Sequence, residues 1–364
     1  MVTYPLHSIS TEEAMALQFK VVDCITKEFQ GHEILTRGDL GVVPGLNKPV
    51  TTLKAEGVIA RIFDAEAAML VRGAGTDAIA DALYSVIKAG ETLLVHTSPI
   101  YSTTKTTLDR QGIRTVAADF NHPEEIRRVM EEHPEIKAAL VQYTRQSMQD
   151  SYDIEEVISA IKSCREIPVV TDDNDAVMKV SRIGIQCGAD LSCFSTFKLL
   201  GPEGVGCIVG RKACIDKLIQ YNYSGGSQVQ GYEALDVLRG LTYAPVALSI
   251  QARVNDRLVE RLKAGELSGI KDAFLANAQS KVLLVEFEEP IAEQVLVEAE
   301  KLGAAPNPIG AESRYELVPM FYRVSGTFRA IDPGIVKRMI RINPMRSGDD
   351  TVIRILKEAM EKVK

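Results

Sequence analysis

The chain has six cysteines but no Cys-x-x-Cys pair, and its five histidines, His7, His32, His96, His122 and His133, are scattered. Neither residue type shows the spacing of zinc ligands, which argues against a structural metal. Long apolar runs are missing too. A membrane helix needs ~20 consecutive apolar residues, and the richest stretches, such as 67–71 and 93–95, are soon broken by charge, glycine or proline. Blocks of like charge are absent: 42 Lys and Arg against 49 Asp and Glu give a net charge of −7, spread along the chain. Nothing in that pattern attracts DNA or an anionic bilayer. The opening residues, MVTYPLHSISTEEAM, lack the basic segment and apolar core of a signal peptide. There is no low-complexity segment and no repeat with a period of ~20–50 residues. The expectation is a soluble cytoplasmic protein without metal, membrane or nucleic-acid partners.

What is present is ordinary globular composition, 46% hydrophobic and 25% charged over 364 residues. At ~100–200 residues per domain this allows two domains or one large one with an appendage. Across residues 49–250, short apolar runs alternate with helical periodicity, the pattern of parallel strands crossed over by helices. Strands are expected at 67–71, 92–96, 114–119, 138–142, 168–171, 191–195 and 205–209. Several are Val, Ile and Leu without alternation, as in a sheet covered on both faces. Ile154, Val157, Ile158 and Ile161 form one helical stripe within 153–165, and Ile79, Leu83, Val86 and Ile87 form another within 76–89. Residues 228–264 read as helix, with Pro245 expected to kink or split it. A smaller α+β unit follows over 251–364, with strands at 281–286 and 338–342, a helix at 291–302 and a closing helix. The first 48 residues are expected to form an arm or to fold onto the small domain. Cys164, Cys193 and Cys207 sit among apolar neighbours and are expected to be buried.

Chemistry concentrates between Pro168 and Gly210. A strand ends in Asp172 and Asp173, a later strand ends in Ser195, Lys198 follows three residues on, and glycines follow in the pattern S-x-x-K-x-x-G-x-x-G-x-G. These parts suit pyridoxal phosphate. That cofactor needs a lysine for an imine, an anion that keeps its pyridine nitrogen protonated, and small residues that let backbone approach. Upstream, VRGAGTDA at 71–78 is a strand, a glycine turn and a helix start, whose backbone amides form an anion site. The same stretch fits a loose dinucleotide fingerprint, which asks for an acid ~20 residues on. His96, Thr97 and Ser98 stand there instead, and a nicotinamide dehydrogenase leaves Lys198 unexplained.

At these residues the chain resembles the fold type I pyridoxal-phosphate enzymes, the aspartate aminotransferase superfamily. It is nearest to the branch of the cystathionine lyases, the aluminium-resistance-type lyases and the selenocysteine synthase-like proteins. The resemblance spans about residues 50–360. It implies the corresponding fold, a seven-stranded, mostly parallel sheet covered by helices plus a smaller α+β C-terminal domain. It implies Lys198 as the internal aldimine lysine, Asp172 as partner of the pyridine nitrogen, and Ser195, Gly75 and Thr76 as phosphate contacts. The run TDDND departs from the family, which usually shows one acid and then small residues, so Asp173 competes with Asp172. SPIYSTT at 98–104 resembles the lyases' Tyr-Gly-Gly-Thr stretch and gives Tyr101 the place stacked on the cofactor ring, with His96 as alternative. Arg341 in MIRINP resembles the family's carboxylate-binding arginine. Arg145 falls where relatives place polar residues facing the cofactor, and Arg346 is held in reserve. Ser227, in the loop before a helix carrying LRGL, is the residue expected to reach a neighbouring subunit's phosphate. The implied protein is a homodimer or larger oligomer acting on an amino acid or amino-bearing acid. A lyase that eliminates or replaces a β or γ substituent is favoured over an aminotransferase of the class V type. A non-catalytic pyridoxal-phosphate protein is the remote alternative.

Overall fold

A computed structural model describes residues 2–277, 281–307, 312–324 and 332–363. The seven apolar segments pair into one sheet. In chain order they are β1 (Ala67–Arg72), β2 (Thr92–His96), β3 (Arg114–Ala118), β4 (Ile136–Gln142), β5 (Val169–Asp172), β6 (Leu191–Ser195) and β7 (Val205–Gly210). Their lateral order is β1-β7-β6-β5-β4-β2-β3, and only β7 runs against its neighbours. Helices cover both faces, so side chains of both parities must be apolar. Phe194 and Cys207 pack on one face with Ile59 and Leu238, while Cys193 and Ile208 pack on the other with Ile79 and Leu83.

The helices follow local signals. The helix Ile154–Cys164 buries its predicted isoleucine and valine stripe, and Asp153 caps it by accepting from the amides of Glu155 and Glu156 at 2.8 and 3.2 Å. Cys164, the last residue of that helix, is exposed to solvent, contrary to its expected burial. The helix Ala74–Val86 starts two residues before its expected position and stops short of Ala89. Gly73, at φ +87°, turns the chain from β1 into it, and a Cβ there would collide with the Asp77 side chain.

The smaller C-terminal domain is a four-stranded antiparallel sheet, β8 (Ile270–Leu275), β9 (Leu283–Phe287), β10 (Met320–Arg323) and β11 (Met339–Asn343), in the order β10-β11-β9-β8. Two of these strands, β8 and β10, carry no clear pattern in sequence. The helices Ala292–Lys301 and Asp349–Val363 pack on the sheet through Val295, Ala299, Val352 and Leu356.

One 33-residue helix, Gly231–Lys263, joins the two sheets. Pro245 does not split it: the proline lies on the buried side, where packing of Leu241, Ala244 and Leu248 holds the helix in place despite the lost donor. Residues up to Leu248 belong to the core of the large sheet and residues from Val254 to that of the small sheet, so the boundary expected at 250 falls inside a continuous helix. The N-terminal helix Thr11–Thr26 is no detached arm. Its Val21 and Cys24 are part of the large core, and only the segment before it reaches the small domain, where the Tyr4 amide donates to Asn277 Oδ1.

Candidate active site

Ligands of open α/β sheets bind beyond the carboxyl ends of the strands, and here β5 and β6 end side by side at a cavity of about 310 Å³. Asp172 is the last residue of β5 and Ser195 the last of β6. Lys198 rides on a short 3-10 turn, Phe197–Leu199, directly after β6, and Ala74 and Thr76 enter from the start of the helix after β1. The small domain contributes Tyr322 from β10 and Arg341 from β11, neighbours in register.

These groups are tied together. Asp172 Oδ1 accepts from the Asn174 amide at 3.1 Å and from Asn174 Nδ2 at 2.8 Å. Asn174 Oδ1 in turn accepts from the Ser195 amide at 2.9 Å, and Ser195 Oγ accepts from the Gly75 amide at 2.9 Å. A Cβ on Gly75 would lie 2.6 Å from both Ser195 Oγ and Asn174 Nδ2, so only glycine permits this closure. Lys198 Nζ donates to Asp175 Oδ2 at 2.9 Å.

Burial pushes the Asp172 carboxyl above its ordinary range, against the hydrogen bonds from Asn174 and the nearby Lys198 charge. For Lys198, burial disfavours the charge, but the Asp175 carboxylate, helped by Asp172 and Tyr101, outweighs it and raises the amine above its usual value. Asp173 points away from the cavity. It accepts from the Gly184 amide at 3.0 Å beneath the sheet, and burial pushes it up to about 7.

Of the residues expected at the site, Thr76, Tyr101, Asp172, Ser195, Lys198 and Arg341 line the one cavity, with Gly75 bonded to Ser195 behind it. Tyr101 caps the helix Ser102–Gln111 and stands half exposed at the rim. Arg341 lays its guanidinium 4.2 Å over the Tyr322 ring and donates from Nε to the Arg323 carbonyl at 2.8 Å.

Four others lie elsewhere. Arg145 is buried outside the cavity, donating to the carbonyls of Tyr4 and Tyr152, so its expected place facing the cofactor is corrected to one anchoring the N-terminal segment. Arg346 donates to Gln251 Oε1 at 3.0 Å on the long helix. His96 lines an adjoining pocket, stacked on Phe120; the Phe120 amide donates to Nδ1 at 3.0 Å, leaving Nε2–H for Asp150 at 3.1 Å. Ser227 does not reach its own chain's cavity. It lines a separate cleft with Asp77 and Asp81 and donates to the Ser224 carbonyl at 2.8 Å.

Sequence reasoning missed Asn174, Asp175 and Tyr322. The first two were visible as the unusual polar run TDDND; nothing local marked Tyr322.

A large sheet that delivers a lysine and a carboxylate from adjacent strand ends, facing an arginine of a small antiparallel domain, defines a fold type I pyridoxal-phosphate enzyme. Residues 47–266 match the family described as Cys/Met metabolism PLP-dependent enzyme, and the chain belongs to that family. Residues 256–356 match the YhfS-like, C-terminal domain family. The YhfS protein of Escherichia coli (strain K12) is 50% identical over 363 residues, spanning 100% of both chains. A crystal structure described as the pyridoxal-5'-phosphate-dependent protein YhfS from Escherichia coli superposes with a TM-score of 0.98 over 100% of both chains, at 50% identity. More distant structures share the fold. A carbon–sulfur lyase involved in aluminium resistance from Clostridium novyi NT covers 97% of this chain and 91% of its own, with a TM-score of 0.72 at 20% identity. A cystathionine γ-lyase, CalE6, from Micromonospora echinospora covers 87% and 88%, with a TM-score of 0.69 at 20% identity.

The cofactor is therefore pyridoxal 5'-phosphate, and the nicotinamide alternative falls. The residues present fit it: a cradle that any Cβ would fill at Gly75, a buried carboxylate at Asp172, and a lysine amine share one cavity.

Proposed function

We propose that the chain is a lyase that removes a β or γ substituent from an amino acid, using Lys198 as the lysine joined to the cofactor. The observation that carries this reading is the shared cavity, in which Lys198, Asp172 and Arg341 approach from three different elements. When bound, pyridoxal phosphate supplies an aldehyde that captures an amine and a ring that draws electrons from the bond being broken. The buried Asp172 carboxylate would hold a proton on the ring nitrogen. The Thr76 amide, at a helix N-terminus, and the Ser195 hydroxyl, held in place by the Gly75 amide, would bind the phosphate. Tyr101, which lines the cavity, would offer an aromatic face to the ring. Arg341 takes the substrate carboxylate in its two-pronged fork. Lys198, with its amine free, would accept the Cα proton as general base. Loss of the substituent with its bonding electrons, after a second proton removal at Cβ where the substituent is at Cγ, would leave an unsaturated amine that hydrolyses to a keto acid and ammonia.

The lean to elimination rests on the family, Cys/Met metabolism, on Tyr101 at the cavity rim, and on the lyase names of the distant fold relatives. We also propose a homodimer. Leu40, Val42 and Leu46 are exposed beside Tyr223, joined by the bond from Asn47 Nδ2 to the Tyr223 carbonyl at 2.8 Å. A second copy covering that surface would receive Ser227, which sits nearby and outside its own cavity. Six free thiols fit a reducing cytoplasm, and no helix among the described residues is long and apolar enough to cross a membrane.

The test is a panel of amino acids assayed for ammonia release without a keto-acid acceptor and, in parallel, for amino transfer with one. Ammonia release alone is expected. Amino transfer without release would make the chain an aminotransferase.

A further inference from the structure

The last acid of the run 171–175, Asp175, is the one that touches the lysine. Asp175 follows β5 in a tight turn and adopts φ +66°, a left-handed conformation that Asp and Asn tolerate better than other side chains. Lys198 sits on an equally tight turn, closed by Leu200 at φ +60°. Neither residue is placed by a strand ladder, yet the turns bring Nζ and Oδ2 to 2.9 Å across 23 positions in sequence. The Asp175 side chain is 9% exposed and that of Lys198 22%, so the pair is shielded from water, where a charge-assisted hydrogen bond holds its geometry.

We infer that Asp175 is a positioning residue for Lys198: it receives the Nζ–H hydrogen bond, aims the amine into the cavity and stabilises the ammonium formed when Lys198 takes a proton. The inference rests on Lys198 being the cofactor lysine. The proton balance is simple. The Cα proton goes to Nζ, the electron pair it leaves stays with the substrate, and one of the three ammonium hydrogens is shared with Oδ2 while Asp175 itself remains ionised. Asp172 cannot supply this, since its carboxylate is committed to Asn174 and, in the proposed reading, to the ring nitrogen. The other groups facing Lys198 are Tyr101 on the helix after β2 and, across the cavity, Tyr322 and Arg341 of the small domain. On its far side Asp175 borders a narrow polar pocket that it shares with the buried pair Lys179 and Glu312. Of the groups that face Lys198, Asp175 alone makes a direct ion pair with Nζ among the described residues.

Asp175→Asn isolates the effect, because Asn keeps the shape and the left-handed backbone and removes only the charge. Asp175→Gly, still easier for the backbone, guards against a folding artefact. The readout is the pH titration of the visible absorption of the cofactor-loaded enzyme, with borohydride fixation and peptide mapping to locate the labelled lysine. Fixation on Lys198 with a titration midpoint about one pH unit lower in both variants, a roughly tenfold change in proton affinity, is expected. Fixation on Lys198 with an unmoved midpoint overturns the role of Asp175 and leaves the lysine assignment standing. Fixation on another lysine overturns both.

Discussion

The two walls of the cavity are built differently. The wall from the large sheet is a closed network: Asp172, Asn174, Ser195 and Gly75 are linked by successive hydrogen bonds of 2.8 to 3.1 Å at the ends of adjacent strands. The wall from the small sheet is two side chains, Tyr322 and Arg341, stacked on each other, with Arg341 partly exposed. A network anchored in strand ladders cannot adjust without losing several bonds at once, which suits a cofactor that stays. A stacked arginine on a long stem can adjust, which suits a substrate that comes and goes. The contrast predicts that damage to the first wall acts on chemistry and damage to the second on binding.

Lys198→Ala breaks the first wall most severely. Loss of the general base alone costs ~10²–10⁴ in rate, and borohydride should no longer fix the cofactor to the chain; fixation retained through another lysine would end the assignment. Asp172→Asn comes next. Removing an ion-pair partner moves a pKa by ~1–3 units, so the protonated ring fraction and turnover should fall ~10- to 1000-fold while cofactor stays bound. Spectral occupancy beside kcat separates the two effects.

Arg341→Lys probes the other wall. A charged hydrogen bond contributes ~1.5–3 kcal/mol, so kcat/KM should drop roughly ten- to a hundredfold, mostly through KM, with occupancy and melting temperature little changed. An unchanged KM would remove Arg341 from substrate binding. The smallest effect on turnover belongs to Asp173→Asn, just behind the first wall. Burial pushes its folded carboxyl up to about 7 from an ordinary value of 3.8. Between those values the folded state keeps a proton that the unfolded state has released, so the wild type loses stability as pH rises through that window and levels off above it. The amide cannot ionise. Asp173→Asn should therefore gain melting temperature relative to wild type at pH 8 and little at pH 4, and a gain independent of pH would contradict the burial argument. A larger loss of turnover here than in Asp172→Asn would reverse the roles of the two acids.

That last comparison marks where local reading stops. Successive residues at a strand end point to opposite faces, so a shift of one residue exchanges the cavity for the interior. Residues 171–175 hold three acids, and only the register of β5 against β4 and β6 turns Asp172 toward the cavity and Asp173 beneath the sheet. Arg145 and Arg341 are likewise indistinguishable as letters; the Tyr4 carbonyl of the N-terminal segment claims the first, and pairing of β11 with β10 places the second over Tyr322.

The large sheet itself was legible because most of its strands are apolar on both faces and flanked by their own turn signals, all of them local. Lys198 and Ser195 were legible for the same reason, since their spacing lies within one strand and one turn. The small sheet was half legible, because β8 and β10 are half-exposed or short and owe their conformation to partners far along the chain. By itself the sequence determined the chain order of strands in the large sheet, the cofactor lysine candidate and the glycine turn, each encoded in fewer than about a dozen consecutive residues. Tertiary structure alone decided which acid faces the cavity, that Asp175 meets Lys198, and that Arg341 closes the site, because those contacts join segments that no local pattern relates.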